Sequence, residues 1–188
     1  MKLLMCNPMR SRYNPYNLLA MIPASGVKTR SFVVIHHSGT ERDDVMSLRR
    51  FHQDTVGLSD IGYHFVITNG RVRFDIIEDS YDGVIQFGRP IQYDGYHCGR
   101  MDTKSIAICL VGPPYTEQQF NSLYMLCCAI NRRRLEVSEV GMSFRGHRHL
   151  AQTACPEFEL FDETGALNWP TPRNNEENNR LRVYITLP

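Results

Sequence analysis

Seven histidines and six cysteines give this 188-residue chain its widest chemical reach. His36 closes a run of apolar, β-branched residues, Ser31-Phe-Val-Val-Ile-His36, where a side chain can leave a buried strand and enter a crevice. His147 sits in a polar Gly-His-Arg-His stretch eight residues before Cys155, which Pro156 follows. Two imidazoles, one thiolate and an open fourth position make a catalytic zinc site, because such a site keeps one position for water. The three residues are far apart in the chain. Two readings therefore stay open from the residues alone: convergence on a metal, or a core histidine, a surface histidine and a buried thiol.

The other cysteines (Cys6, Cys98, Cys109, Cys127 and Cys128) show no regular spacing, and no CxxC pair is present. That excludes a zinc ribbon and a thioredoxin-type site, and the expected state is reduced, mostly buried thiols. His37 follows His36 on the same strand and is expected on the opposite sheet face.

These side chains need elements to position them. The helix after the first strand is expected to start at an Asp43 or Asp44 N-cap, with Val45, Leu48 and His52 on one face, and to reach about Thr55. Tyr63–Thr68 and Arg71–Asp75 read as a hairpin turning at Asn69-Gly70. Residues 76–104 read as loops over a binding face. Ser105–Val111 is a second fully apolar strand. Thr116 with Gln119 forms a capping box ahead of a long helix through Phe120, Leu123, Cys127, Ile130 and Arg134. A short strand or turn near Val140–Phe144 leads to His147, and Val183–Leu187 is an edge strand or docking tail. Strands alternating with helices imply the α/β class: a single domain with a central mixed β-sheet flanked by helices.

The chain is 42% hydrophobic and 22% charged, which excludes wholesale disorder, and no apolar run approaches the roughly 20 residues of a membrane span. The net charge of +1 conceals an asymmetry. Residues 1–30 carry five basic side chains and no acid, whereas residues 41–169 carry 13 basic against 18 acidic. The expected organisation is a basic N-terminal arm over 1–30, a catalytic domain over 31–168 and a polar tail over 169–188. Lys2 precedes only four apolar residues, too few for a signal core, so a cytoplasmic product is expected. No nucleic-acid partner is expected from so few dispersed charges, although the arm is a candidate docking segment for a protein or particle.

Several fragments occur in register: Val34-Ile-His36-His-Ser38, Asp60-Ile-Gly-Tyr63-His64-Phe, Tyr96-His97, Ser105-Ile-Ala-Ile-Cys-Leu-Val-Gly112, Gly146-His147 and Ala154-Cys155-Pro156. Together they resemble the zinc N-acetylmuramoyl-L-alanine amidases of the peptidoglycan recognition protein superfamily, most of all the lysozyme-type amidases of tailed phages. The resemblance spans about residues 31–161. It implies zinc ligands at His36, His147 and Cys155 in a groove on one sheet face, and a carbonyl-stabilising role for Tyr63. It further implies a groove-lining, substrate-binding role for His97, with peptidoglycan muropeptides as the partner. The bond implied joins the lactyl group of N-acetylmuramic acid to L-alanine of the stem peptide. An endolysin would be made in the host cytoplasm and reach the wall on release, or travel as part of a virion. The alternative is a module that binds muropeptides without cutting them. Four departures stand out: Thr153, assigned a catalytic role through one neutral hydrogen bond, occupies the position where many phage members have a lysine; Cys109 takes the position of a glutamate in some branches and Ala107 that of a glycine; and the tryptophan common shortly before Gly-Tyr-His is absent. No carboxylate base is assigned.

Overall fold

A computed structural model describes residues 13, 15–71 and 77–160. The tail over 169–188, most of the basic residues of the arm and Cys6 lie outside the described residues.

Five strands form one mixed sheet in the order β3-β2-β4-β1-β5. Their ranges are β1 Phe32–His37, β2 Phe65–Arg71, β3 Ile77–Phe87, β4 Ser105–Leu110 and β5 Ser143–Gly146. Only β2 and β3 run antiparallel; β1 pairs in parallel with both β4 and β5, and β2 in parallel with β4. β4 is central and buried at every position, as a fully apolar run in a parallel sheet should be.

Side-chain alternation splits the core in two. Val33, Ile35, Phe65, Ile67, Ile106, Ile108 and Leu110 pack with Leu123, Leu126 and Ile130 of α4 (Glu117–Val137). Val66, Cys109 and Val111 form a second cluster with Leu48 of α3 (Val45–Arg50) and Ile61. His36 pairs with Cys109 across the sheet and so belongs to this second face. Leu18 and Ile22, at and beyond α1 (Pro15–Ala20), and Val27 of α2 (Ala24–Lys28) join the α4 core. Arg30 is buried too, donating to Asp94 and to the carbonyls of Tyr93 and Thr103. Between Pro15 and Arg30, then, Leu18, Ile22, Val27 and Arg30 are buried against the rest of the domain.

Both expected caps form. Asp44 caps α3 and Thr116 caps α4, each in a reciprocal capping box with the third helical residue. Gln119, fully buried, also donates to the carbonyls of Ile67 and Val111, tying the start of α4 to two strands.

Three local expectations are corrected. Asn69-Gly70 does not turn the hairpin: both residues lie inside β2, where the register with β3 shifts. Gly70 supplies the left-handed step at φ 75, and the Asn69 side chain accepts from the Arg71 N–H and donates to the Glu41 carbonyl. The positive-φ signal was real, but it serves an irregular pairing rather than a reversal. Residues 77–87, expected in loops, form the eleven-residue β3. The helix expected to reach Thr55 is α-helical only to Arg50 and continues as a π-helical turn over Phe51–Thr55.

Replacing Gln119 by Leu strands the Val111 carbonyl in the interior and takes the partner of the half-buried Thr116 N–H. Urea unfolding should show a loss of about 2–3 kcal/mol, the cost of buried unpaired backbone groups; a loss below about 1 kcal/mol would contradict this role.

Candidate metal centre

Parallel strands carry their carboxyl ends to one edge of a sheet, and crevices form there. His36 is the penultimate residue of β1, and His147 follows directly on β5 in a 3-10 turn, His147–His149. The His149 Nδ1 accepts the Gly146 N–H at 3.1 Å, and the Arg148 N–H donates to the Cys155 carbonyl at 2.7 Å. These bonds hold the His147 turn against the loop that bears Cys155. That loop is set further by the Tyr115 hydroxyl on the Pro156 carbonyl (2.5 Å), and Glu157 takes a left-handed backbone at φ 69 within it.

His36, His147 and Cys155 each offer a donor atom, and these atoms all lie within 4.8 Å of one another. The His36 Nδ1 is 3.8 Å from the Cys155 Sγ, and the His36 and His147 ring centres are 4.5 Å apart. His36 and Cys155 are buried and His147 is half-buried. Burial, then the neighbouring imidazoles of His97, His147 and His37, hold His36 well below the ordinary histidine range. Burial likewise pushes the Cys155 thiol up to about 11, opposed by the His37 N–H that donates to its sulfur at 3.3 Å. Neutral imidazoles with free lone pairs are what a metal requires, and a cation reverses the thiol's preference by favouring its anion. Two nitrogens and one sulfur form a donor set suited to Zn²⁺, with three protein groups leaving a fourth position open. The residues fit the ion.

Tyr63 stands beside the cluster, its ring centre 5.3 Å from that of His36. Burial, with Cys109, Cys155 and Asp43 nearby, raises its hydroxyl well above the usual tyrosine range, so at neutral pH it remains a donor. Thr153 is exposed, and its Oγ1 accepts the Cys155 N–H at 3.2 Å. His37, the next residue of β1, has its Nε2 3.4 Å from Glu157.

His97 packs directly against His36. Its side chain has no exposed surface, and its Nδ1 lies 2.9 Å from the His36 Nε2. The loop places the His97 ring against that of His36, and Asp102 accepts the His97 and Cys98 N–H groups.

Sequence reasoning missed two supports. Ser105 meets the far side of His97 at 3.2 Å. His52, displaced by the π-helical turn, accepts the Gly62 N–H at its Nδ1 and places its ring centre 5.3 Å from Tyr63. No motif marks either; His52 would have needed the π-helical register, which hydrophobic spacing does not encode.

Comparison with known proteins places the chain in a family. The sequence profile of the N-acetylmuramoyl-L-alanine amidase family matches residues 27–158. The endolysin of Escherichia phage T7 is 28% identical over 135 residues, covering 68% of this chain and 81% of that protein. Peptidoglycan-recognition protein LB of Drosophila melanogaster is 32% identical over 152 residues, covering 74% and 59% respectively. Among solved structures, the N-acetylmuramoyl-L-alanine amidase LysC from Clostridium intestinale superposes with a TM-score of 0.57 at 24% identity, covering 70% of this chain and 78% of that one. This last likeness concerns the fold.

One histidine next to the centre gives a pH signature. His64 accepts the Ala107 N–H at Nδ1 and meets the Tyr93 carbonyl at Nε2, so its neutral form bridges strand and loop. Burial lowers it from 6.5 to about 4, with Arg30 and Arg89 adding to the shift and the Tyr93 carbonyl opposing it. As pH falls through 6.5 the unfolded chain takes up a proton that the folded chain refuses until about 4. The stability contributed is therefore complete above 6.5 and is lost on acidification. Between pH 7 and pH 5 the metal-free protein should lose about 2 kcal/mol more than its His64→Gln variant in urea unfolding. Equal losses would contradict the assignment.

Proposed function

The chain belongs to the N-acetylmuramoyl-L-alanine amidase family and is a peptidoglycan amidase; on that premise we propose that His36, His147 and Cys155 hold a catalytic zinc ion. The observation that carries the proposal is the convergence of those three donors in a chain of this family. Bound zinc supplies Lewis acidity, bringing water towards ionisation near neutral pH and polarising a carbonyl.

The chain's own residues do the rest. The substrate is the amide between the lactyl group of N-acetylmuramic acid and L-alanine of the stem peptide. Attack of water on that carbonyl builds negative charge on its oxygen, and the Tyr63 hydroxyl, held protonated, donates to it there. Cleavage of the C–N bond leaves a lactyl carboxylate and a free L-alanine amine, which takes the proton. Thr153 spends an oxygen lone pair on the Cys155 N–H and keeps its hydroxyl proton to give. It offers one neutral hydrogen bond where a lysine would offer charge, so its contribution is smaller. His52, against Tyr63 and Gly62, fixes the approach of the tyrosine.

Muropeptides of the bacterial wall are the partner this chemistry requires. The endolysin relatives point to a phage lytic enzyme, made in the host cytoplasm and acting on the wall after release. Among the described residues, no helix is long and apolar enough to cross a membrane.

Digestion of purified peptidoglycan should expose new L-alanine amino ends, with zinc present in stoichiometric amount by mass spectrometry. Chelation or His36→Ala should abolish release. Tyr63→Phe should lower kcat by about 10²-fold, in keeping with loss of one oxyanion donor. A zinc-loaded protein that retains cell wall yet releases no amino ends would overturn the catalytic reading in favour of binding alone.

A further inference from the structure

We propose that a hydrogen-bonded chain, Met101–Ser105–His97–His36, fixes the tautomer of His36 so that its Nδ1 lone pair is turned towards Cys155 and His147. The inference rests on the reading of His36 as a zinc ligand and deepens it, assigning His97 and Ser105 as positioning residues.

The argument is a count of protons. A serine hydroxyl has one hydrogen. That of Ser105 is given to the Met101 carbonyl at 2.6 Å, so towards His97 its oxygen can only accept. The group it meets is the His97 Nε2, at 3.2 Å, which therefore carries the ring's hydrogen. The Asp102 carboxylate, an acceptor, stands 3.6 Å from the same nitrogen and favours the same assignment. With Nε2 protonated, a neutral His97 has its lone pair at Nδ1. The partner of that lone pair is the His36 Nε2 at 2.9 Å, which must then be the donor. A neutral His36 with its hydrogen on Nε2 has its lone pair on Nδ1, the atom 3.8 Å from the Cys155 Sγ.

The three side chains of the chain are buried, His36 1% exposed, Ser105 0% and the His97 side chain 0%, and only the Met101 end is partly exposed. Buried, the two rings and the Ser105 hydroxyl find their partners in one another, so reversing one bond requires reversing all of them and takes the Ser105 hydroxyl from the Met101 carbonyl. A metal-ligating histidine whose second nitrogen is held in this way has a fixed ring and a more basic donor. The strand alone does not decide the matter: β1 sets where His36 stands, whereas the loop over 88–104 sets which nitrogen is protonated.

Two measurements on the full chain test this. Long-range ¹H–¹⁵N correlation spectra of the metal-free protein at neutral pH should show both His36 and His97 protonated at Nε2. A His36 ring protonated at Nδ1 would overturn the proposal whatever the variants do. Zinc affinity by chelator competition should fall about 10- to 100-fold in His97→Leu, which has no acceptor, the usual cost of losing such a partner. His97→Asn places an amide oxygen where Nδ1 was and should restore affinity to within about threefold of the unsubstituted protein. Equal zinc binding by all three forms would overturn the proton chain alone. Absence of zinc binding by the unsubstituted protein would overturn the parent reading with it.

Discussion

Two imidazoles and a thiol held within 4.8 Å of one another, largely out of water, disfavour any charge among themselves. Burial drives His36 down and Cys155 up, so without a cation the cluster is neutral and its lone pairs have no proton to hold. Much of the architecture keeps these groups together despite that cost. Parallel pairing of β1 with β5 brings His36 and His147 to the same edge, and main-chain bonds from Arg148 and His37 fasten Cys155 beside them. A divalent cation converts this arrangement from a desolvation penalty into a coordination site, and its binding then adds to the stability of the fold.

The two sheet faces divide the labour. The face under α4 holds the larger apolar cluster, to which α1 and α2 contribute. The opposite face has a smaller cluster under α3, and the space beside it is taken by loops rather than a long helix. The π-helical turn carries His52 and those loops carry Tyr63 and His97, each tied by backbone or side-chain bonds to its neighbours. Cys109 shows the consequence for chemistry. Fully buried beside His36 on the neighbouring strand, it leaves no carboxylate there, and the hydroxyls of Tyr63 and Thr153 are the donors at hand.

Much of this was legible in the sequence. Apolar runs located β1 and β4, Thr116 with Gln119 located the start of α4, and the ordered fragments singled out three donors that the fold brings together. What escaped were features set by tertiary contacts. Asn69-Gly70 carries a true positive-φ signal, but pairing with β3 decides whether it becomes a turn or an irregularity. His97 has the composition of a groove residue; only the closure of the loop over 88–104 under Arg30 and Asp102 shows that it faces inward. The π-helical turn at Phe51–Thr55 leaves no mark on hydrophobic spacing at all.

The central claim is that a zinc ion sits among His36, His147 and Cys155. An anomalous difference map from crystals of the zinc-loaded protein, collected on both sides of the zinc absorption edge, tests it directly. The account predicts a single strong peak at about 2.0–2.3 Å from the His36 Nδ1, one His147 ring nitrogen and the Cys155 Sγ. A peak elsewhere, or none at that position in protein shown to contain stoichiometric zinc, would contradict it.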